Sequence, residues 1–402
     1  MARVLLAWEL GANLGHIDRL LMLARVLRAR GHEAVFVLRD LSRAHSRVVA
    51  EGYGVGQAPV WLPRMVNPPR LANYTAVLAS AGWLDPCGLA GLLSGWRTWF
   101  DLLRPDVLVC DHAPTALLAT RITPLPMRVW ACGSSFEIPP TASGVFPSFM
   151  PGDGRDAAAC AACDTRLLQP TNAALALLNA PPLSRLADVF APAQRVLTTL
   201  PELAHYSGYD ADVHWVGPSY AGDSGTAPQW PGADGRRVFV YLDPAHAAFG
   251  SVLDAIQAIG LCALVHAKGL APAAAERLAN ARIRFEDQPL RMDETLQHAD
   301  LVVSHGGQGT LSAAALAGKP QLLLPQHMEQ AMAARRVVAA GLGLVLEPSP
   351  AGQAPAPCQP LLRRLIGEPA FTHAAQALAA RHHGRSALQT VERIATLIEA
   401  SL

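Results

Sequence analysis

The segment 300–346 carries the residue types and spacing that best suit chemistry in this chain. An apolar run at 301–303 ends at Ser-His-Gly-Gly-Gln-Gly-Thr, residues 304–310, and small and apolar residues then resume at helical spacing. The pattern predicts a strand, a glycine turn and a helix that begins near Thr310. Glycines let a backbone approach a ligand closely, and a helix N-terminus favours an anion. The segment therefore predicts a phosphate site beside His305.

A second apolar run follows at 321–324, and Pro325 ends it before a polar cluster that contains Glu329 and Gln330. We interpret the segment as one βαβ unit followed by another helix. The carboxyl ends of neighbouring parallel strands meet at one edge of a sheet, where ligands bind in open α/β folds. The polar cluster and the glycine turn are therefore expected at the same crevice.

This string resembles the donor-binding signature of the GT-B glycosyltransferases, which use nucleotide sugars and have two Rossmann-like domains. The resembling branch contains the plant natural-product glucosyltransferases and the bacterial antibiotic and macrolide glycosyltransferases. The matching positions are His305, Gly307, Thr310, Gly318, Pro320, Pro325, Glu329, Gln330, Gly341 and Gly343. The resemblance implies that His305 contacts the diphosphate and that Glu329 and Gln330 hold sugar hydroxyls. The turn implied to cradle the diphosphate consists of Gly306, Gly307, Gln308, Gly309 and Thr310.

Three positions depart from that signature. Ala313 stands where the family often has a ribose-binding Glu, which leaves UDP- and dTDP-sugars equally open as donors. Asp243 stands where the family usually has a small residue against the diphosphate, and a carboxylate there would repel it. Asp287 replaces the flat group that stacks on the base. The expected base contacts are therefore Gln288 and Leu290.

The first βα unit holds a second candidate, His16. An apolar run at 4–7 leads through a glycine-containing loop to His16, at the start of a predicted helix over 17–30. An imidazole titrates near neutrality and can accept a proton from a hydroxyl. A simpler role, hydrogen bonding to a loop, also fits a histidine at a helix start. The strings Gly-His-x-x-Arg at 15–19 and Arg-Gly-His-Glu at 30–33 resemble the same family, which implies that His16 is the general base.

A carboxylate is expected to orient this base. Asp111 follows an apolar run at 107–110, at the carboxyl end of the same parallel sheet, and the resembling family has an Asp there that pairs with the base. Glu9 and Asp18 are local alternatives because both lie close to His16 in sequence. His112 receives no role.

Composition bounds the class of protein. With 402 residues, about half of them apolar, the chain is longer than a single hydrophobic core usually accommodates. Its length therefore predicts two domains. A net charge of +1 argues against nucleic-acid partners, and the first apolar run is too short for a signal peptide or a spanning helix. The expected partners are a small-molecule acceptor and a nucleotide-sugar donor, in a cytoplasmic monomer or homodimer. The 7 cysteines, including Cys160 and Cys163, are interpreted as free thiols rather than metal ligands.

A stretch rich in Gly, Pro, Asp and Ser at 219–235 is the best linker. It would separate an acceptor-binding domain over 1–218 from a nucleotide-sugar-binding domain over 236–385. By the resemblance, a C-terminal helix over 386–402 crosses back onto the first domain. Aromatic residues in an insertion at 53–100 and in a second stretch at 133–154 predict an apolar or aromatic acceptor, with core packing as the alternative for any single ring.

These observations predict an α/β protein with two Rossmann-like domains facing a cleft. The predicted function is an inverting, metal-independent glycosyltransferase. It would move a hexose-type sugar from a UDP- or dTDP-sugar to a hydroxyl of a small natural-product acceptor, with no cofactor besides that co-substrate. Two alternatives remain. One is a nucleotide-sugar epimerase of the same fold, for which several carboxylates and arginines are expected at the site. The other is a non-catalytic nucleotide-sugar-binding partner of another transferase.

Overall fold

The computed structural model describes residues 1–11, 15–63, 71–151, 156–220, 225–347 and 356–402. Parts of four predicted features lie outside the described residues: the loop before His16 (12–14), the aromatic insertion (64–70), the second aromatic stretch (152–154) and the linker (221–224). The chain divides into two compact units. The first contains Met1–Thr198, Tyr206–Gly217 and Leu388–Leu402, and the second contains Thr199–His205 and Pro218–Ala387.

The first unit is built on a parallel sheet. Its strands are β1 Arg3–Trp8, β2 Glu33–Leu38, β3 Gly54–Gln57, β4 Val107–Asp111, β5 Arg128–Gly133, β6 Gln194–Leu197 and β7 His214–Trp215. Its helices are α1 Gly15–Ala29, α2 Ala44–Arg47, α3 Thr75–Leu78, α4 Pro86–Leu103, α5 Pro114–Ala119 and α6 Asp156–Leu177. The strand order is β3-β2-β1-β4-β5-β6-β7. Leu5 and Ala7 join one core cluster while Val4 and Leu6 join another, so this sheet is covered on both faces.

The second unit repeats this design. Its strands are β8 Arg237–Tyr241, β9 Cys262–His266, β10 Ile283–Glu286, β11 Leu301–Ser304, β12 Gln321–Leu323 and β13 Gly343–Val345. Its helices are α7 Phe249–Ala258, α8 Pro272–Leu278, α9 Met292–His298, α10 Gln308–Leu316, α11 Met328–Ala339, α12 Gln359–Gly367 and α13 Pro369–Arg381. The strand order is β10-β9-β8-β11-β12-β13, again with parallel neighbours. The prediction of two Rossmann-like α/β domains is confirmed.

Each sheet has a point where its strand order reverses. In the first unit this point lies between β1 and β4, where Trp8 is paired with Asp111, and in the second it lies between β8 and β11, where Tyr241 is paired with Ser304. Open α/β sheets bind ligands at the carboxyl ends of the strands beside such a point. Asp111 ends β4 and His305 directly follows β11, so the topology places both predicted site residues at these positions.

The aromatic insertion is mostly helical where it is described. α3 runs into a π-helical turn, Ala79–Trp83, and α4 begins at Pro86 with Asp85 as its N-cap. The Asp85 carboxylate accepts hydrogen bonds from Cys87 N at 3.0 Å and Gly88 N at 3.1 Å, which fixes the start of the helix. Four rings of the insertion are fully buried in the core, namely Tyr74, Trp83, Trp96 and Phe100. Core packing therefore accounts for these four rings.

The C-terminal helix, α14 Ala387–Ala400, packs on the first unit. Its buried residues Ile394, Ala395 and Ile398 join the core cluster that contains Val4 and Leu6 of β1. At the edge of this contact, Arg30 Nη1 donates to Glu399 Oε2 at 2.7 Å. The apolar stripe on the helix thus covers one face of the first sheet.

Among the described residues, no single helix has the length and apolar composition needed to cross a membrane. One strongly bent pair, Thr75–Trp83 with Pro86–Leu103, reaches that length and composition only when both helices are taken together. Trp83 and Trp96 of this pair lie in the core of the first unit. Each of the two helices therefore contributes a buried ring to that core.

Candidate active site

The ends of β1 and β4 bring His16 and Asp111 together. His16 is the second residue of α1, and Asp111 is the last residue of β4. His16 Nδ1 lies 2.8 Å from Asp111 Oδ1, and the two side chains are 11% and 2% exposed. The pair forms because adjacent parallel strands end side by side and α1 begins just after β1. The structure thus brings the two predicted catalytic residues into hydrogen-bond contact.

Arg19 and Glu137, neither of which has a predicted role, surround Asp111. Arg19 lies one helical turn after His16 and donates to Asp111 from Nε at 3.1 Å and from Nη2 at 2.6 Å. The same Nη2 donates to Glu137 Oε1 at 3.1 Å. Glu137 follows β5, and its other carboxylate oxygen accepts from Ser134 N. We call His16, Arg19, Asp111, His112 and Glu137 the histidine–carboxylate cluster.

The hydrogen bonds of Arg19 show which ring nitrogen of His16 carries the proton. A guanidinium Nη2 carries two hydrogens, and here one is directed to Asp111 and the other to Glu137. Nη2 also lies 3.0 Å from His16 Nδ1, but no third hydrogen remains for it to donate. Nδ1 is therefore the protonated nitrogen, which donates to Asp111. This tautomer leaves a lone pair on Nε2, the arrangement that a general base requires.

Arg19 keeps both carboxylates ionised although they are buried. Burial opposes the charge on Asp111, but Arg19 and His16 outweigh it and lower the pKa of Asp111 to about 2. Burial likewise opposes the charge on Glu137, and Arg19 lowers the pKa of Glu137 below its usual value. Near neutral pH Asp111 is therefore a carboxylate that can stabilise an imidazolium on His16.

The two alternative carboxylates, Glu9 and Asp18, are bonded elsewhere. Glu9 is buried and accepts hydrogen bonds from Trp96 Nε1 at 2.8 Å and from Thr115 N. Burial raises the pKa of Glu9 to about 7, against the opposing effect of these donors. Asp18 pairs with Arg47. Of these three carboxylates, Asp111 is the one in hydrogen-bond contact with His16.

Three atoms of the cluster are close enough to one another to hold a metal ion. One ligand atom each from His16, His112 and Glu137 lies within 4.8 Å of the others. The Arg19 guanidinium, however, lies 3.0 Å from His16 Nδ1 and 3.1 Å from Glu137 Oε1. Arg19 thus already supplies the positive charge that balances the carboxylates of the cluster.

In the second unit, the predicted glycine turn joins β11 to α10. α10 begins at Gln308, two residues earlier than predicted, with Gly307 as its N-cap and without a side-chain cap. Gly306 has a φ of 83°, which a residue with a side chain rarely adopts. The uncapped N–H groups of the first turn suit an anion. The Gln308 side chain donates from Nε2 to Thr199 Oγ1 at 2.7 Å and to Ser312 Oγ at 3.1 Å, so its amide nitrogen is already engaged.

Both ring nitrogens of His305 have protein partners. Asp243 N donates to Nε2 at 2.6 Å, and Nδ1 lies 3.2 Å from the carbonyl oxygen of Leu324. Because a backbone N–H can only donate, Nε2 is the acceptor and Nδ1 carries the proton. Burial lowers the pKa of His305, although the Leu324 carbonyl and Asp243 oppose the shift. A diphosphate that contacts this ring therefore has to displace the Asp243 amide, a consequence that the sequence does not reveal.

The predicted sugar-binding residues, Glu329 and Gln330, lie in the first turn of α11. A Cβ added to Gly306 would lie 3.7 Å from the carbonyl oxygen of Gln330, so this turn adjoins the glycine turn. The Gln330 side chain accepts a hydrogen bond from Gln326 N at 2.8 Å. The carboxyl ends of β11 and β12 thus bring the two predicted parts of the donor site together.

The predicted base contacts, Gln288 and Leu290, lie in the loop between β10 and α9. Leu290 is only 6% exposed and packs with the core cluster around Phe239. Thr226, from the predicted linker, pairs with this loop, since its N–H donates to the carbonyl oxygen of Pro289 at 2.8 Å. Gln288 is exposed. Of the two side chains, Gln288 is the one available to a ligand.

Sequence signals account for only part of the histidine–carboxylate cluster. Arg19 falls inside the Gly-His-x-x-Arg string, so its spacing from His16 could have identified it. His112 directly follows Asp111, but its sequence context carries no chemical signal. Glu137 lies in a loop 26 positions after Asp111 in the sequence. Only the folded structure brings it next to Arg19.

Comparison with known proteins finds similarity to glycosyltransferases and to a biosynthetic protein family. Residues 272–397 match the family described as "Erythromycin biosynthesis protein CIII-like, C-terminal domain". NDP-glycosyltransferase YjiC of Bacillus subtilis (strain 168) is 43% identical over 68 residues, and this match covers 17% of each chain.

Two solved structures resemble the chain over nearly its whole length. The glycotransferase of kitacinnamycin has a TM-score of 0.72 at 18% identity and covers 100% of this chain and 99% of its own. Spinosyn rhamnosyltransferase SpnG complexed with thymidine diphosphate has a TM-score of 0.66 at 21% identity, with 98% and 99% covered. The fold is therefore that of the GT-B glycosyltransferases. The match of residues 272–397 to the erythromycin CIII-like C-terminal domain confirms the resemblance predicted from the sequence.

Proposed function

We propose that this chain is an inverting glycosyltransferase. It moves a hexose-type sugar from a UDP- or dTDP-sugar to a hydroxyl of a small, apolar or aromatic natural product. The contact that carries the proposal is the 2.8 Å pair between His16 Nδ1 and Asp111 Oδ1, because it leaves Nε2 of His16 as a proton acceptor. The glycosyltransferase names of the similar proteins support the reaction class.

The proposed reaction is a direct displacement. The acceptor oxygen attacks the anomeric carbon while His16 Nε2 takes the hydroxyl proton, and the bond from the anomeric carbon to the diphosphate breaks. The nucleoside diphosphate leaves with that electron pair. Asp111 stabilises the imidazolium that forms on His16, since its carboxylate stays ionised. A single displacement inverts the anomeric configuration.

Charge on the leaving diphosphate is proposed to be balanced by the N-terminus of α10. Its first turn has no side-chain cap and follows the glycine turn, so several N–H groups can point at one phosphate. This proposal requires no metal ion, and a chelator should leave the rate unchanged.

Ala313, at the position of the family's ribose-binding Glu, is 1% exposed. The similar structure with bound thymidine diphosphate supports dTDP-sugars as donors to be tested beside UDP-sugars.

The proposed function is tested by product analysis. The protein is incubated with UDP-glucose and with dTDP-glucose against a panel of phenols, alkyl alcohols and polyketides, and products are identified by mass spectrometry. Proton NMR of a product gives its anomeric configuration. Transfer with inversion is the expected result. Retention of configuration, or no transfer to any member of the panel, would contradict the proposal.

Variants of the pair identify the base. A general base contributes about 10²–10⁴-fold to rate, so His16→Ala should lower kcat by that order while donor affinity stays unchanged. Asp111→Asn should cost less, and the double variant should be no slower than His16→Ala, because the two residues act as a unit. The rate loss in His16→Ala should be larger with alkyl alcohols than with acidic phenols, because a phenol releases its proton more readily. Simple additivity of the two substitutions would contradict the assignment.

An epimerase acting on the nucleotide sugar alone is the second candidate. The histidine–carboxylate cluster is the observation that favours an epimerase. Arg19, Asp111 and Glu137 supply the carboxylates and the arginine that such chemistry would use. The same incubation without acceptor separates the two functions. An epimerase changes the sugar configuration of the donor, whereas the proposed transferase leaves the unreacted donor unchanged.

A further inference from the structure

His112 occupies a backbone conformation that is uncommon for a residue other than glycine. It directly follows Asp111 and has a φ of 49°, in the left-handed region that residues with a side chain rarely adopt. Its carbonyl oxygen accepts from Leu10 N at 3.0 Å, which ties the loop after β4 to the loop after β1. Such a conformation costs on the order of 1–3 kcal/mol and persists where the surroundings impose it, often at functional sites.

The His112 side chain is buried among aromatic rings. Its ring centroid lies 6.1 Å from that of His16, 6.2 Å from Tyr74 and 6.3 Å from Phe136. Nε2 of His112 is buried, and no described residue gives it a hydrogen bond. Buried polar side-chain atoms usually have a partner, so an unpartnered one calls for an explanation.

Gly11 packs directly against both imidazoles. A Cβ on Gly11 would lie 2.6 Å from His16 Nε2 and 3.4 Å from His112 Nδ1. The proton-accepting nitrogen of His16 and Nδ1 of His112 therefore both lie beside Gly11, on the same side of its α-carbon. Gly11 has a φ of 87°, so both its conformation and this close approach require glycine.

The protonation state of His112 follows from its surroundings. Burial lowers the pKa of His112 to about 4, so the ring is neutral at physiological pH and carries a single proton. An unpartnered buried N–H costs more than an unpartnered buried lone pair, since orphaned donors are the rarer of the two in proteins. The lone pair is therefore assigned to the unpartnered Nε2 and the proton to Nδ1. His112 thus presents an N–H where His16 presents a lone pair.

We propose that Nδ1–H of His112 donates a hydrogen bond to the acceptor oxygen whose proton His16 Nε2 removes. The inference rests on the proposed function and adds a substrate preference to it. A hydroxyl oxygen has two lone pairs, so it can accept from His112 with one and attack the anomeric carbon with the other. A neutral amine has one lone pair and cannot do both. His112 therefore selects alcohols and phenols over amines, and it stabilises the negative charge that develops on the attacking oxygen.

The test compares a matched pair of acceptors, 6-hydroxyquinoline and 6-aminoquinoline. His112→Leu removes the N–H, and His112→Asn keeps a side-chain N–H donor on a residue that tolerates positive φ. His214, a partly buried histidine of β7 outside the cluster, provides the control variant His214→Leu. The readouts are kcat/KM for each acceptor and the ratio of the two values, alongside thermal unfolding.

A lost donor to a developing oxyanion costs up to about 10²–10³ in rate. We expect His112→Leu to lower kcat/KM for the hydroxyl acceptor by about 10–10²-fold and the amine acceptor by much less, so that the hydroxyl-to-amine ratio falls. His112→Asn and His214→Leu should keep the wild-type ratio. If His112→Leu does not fold, His112→Gly serves as the same test, because glycine adopts a positive φ without strain.

An unchanged ratio in the variant that lacks the N–H, or an equal loss for both acceptors, would overturn the role of His112 alone. In that case His16→Ala would still lower kcat by about 10²–10⁴-fold, and the proposed function would stand. If the wild-type protein transfers sugar to no acceptor at all, the proposed function fails and this inference fails with it.

Discussion

Arg19→Met tests the histidine–carboxylate cluster most directly. The substitution keeps an unbranched side chain but removes the guanidinium that holds two carboxylates, and the side chains of Asp111 and Glu137 are only 2% and 5% exposed. Removing one partner of a buried ion pair costs about 3–5 kcal/mol, because the remaining charge is left uncompensated. We therefore expect the free energy of unfolding of the first unit to fall by about that amount at pH 7.

The loss should depend on pH, with a sign that follows from the pKa shifts. Against the effect of burial, Arg19 lowers the pKa of Asp111 to about 2 and also lowers the pKa of Glu137. In the wild type these carboxylates contribute stability that is present above their unfolded pKa of about 4 and lost as the pH falls through the folded values. Without Arg19, burial raises both folded pKa values. The deficit of the variant should therefore shrink as the pH falls from 7 towards 4.

Urea unfolding followed by tryptophan fluorescence measures this loss. The chain has 8 tryptophans, and all except Trp230 lie in the first unit, so the signal reports mainly on the unit that contains the cluster. The matched control is Arg25→Met on the same helix. Arg25 pairs with Glu51, but its side chain is 54% exposed, and an exposed pair contributes about 0–1 kcal/mol.

Two results would refute this reasoning. One is a destabilisation by Arg19→Met no larger than that by Arg25→Met. The other is a deficit that stays constant between pH 7 and pH 4, which would mean that the carboxylates do not respond to the missing guanidinium. Glu137→Gln placed in the Arg19→Met background removes one of the uncompensated charges and should recover part of the lost stability.

Three further predictions follow from single contacts. Burial raises the pKa of Glu9 to about 7, so between the unfolded and folded pKa values the folded chain holds a proton that the unfolded chain has released. The free energy of unfolding therefore falls as the pH rises towards 7. Glu9→Gln should flatten this part of the pH–stability curve, measured by urea unfolding. His305→Ala should lower kcat at saturating donor by about 10²-fold or more, and a near wild-type rate would remove His305 from the diphosphate site. Gly343→Ala places a Cβ 2.1 Å from the Gln321 carbonyl oxygen, so calorimetry should show strong destabilisation, and an unchanged melting temperature would contradict this clash.

The sequence by itself determines the framework of both sites. Apolar runs at 4–7, 107–110 and 301–303 predict strands that end at the candidate residues, because a parallel sheet is buried on both faces and its strands are continuously apolar. Positions at the ends of neighbouring parallel strands meet in space, which is why His16 and Asp111 could be paired although 95 residues separate them. The glycine turn before α10 could be predicted for a local reason, since its conformation depends on residues adjacent in sequence.

Only the tertiary structure decides which polar groups meet at these edges. Glu137 reaches Arg19 from a loop after β5, and the Asp243 amide reaches His305 from the end of β8, so neither contact leaves a local pattern in the sequence. The aromatic insertion shows the same limit. Its composition suits a binding pocket or a core equally well, and only packing shows that Trp83 and Trp96 are fully buried. Periodicity specifies which face of a strand or helix is apolar, whereas contacts between distant segments depend on how those faces pack together.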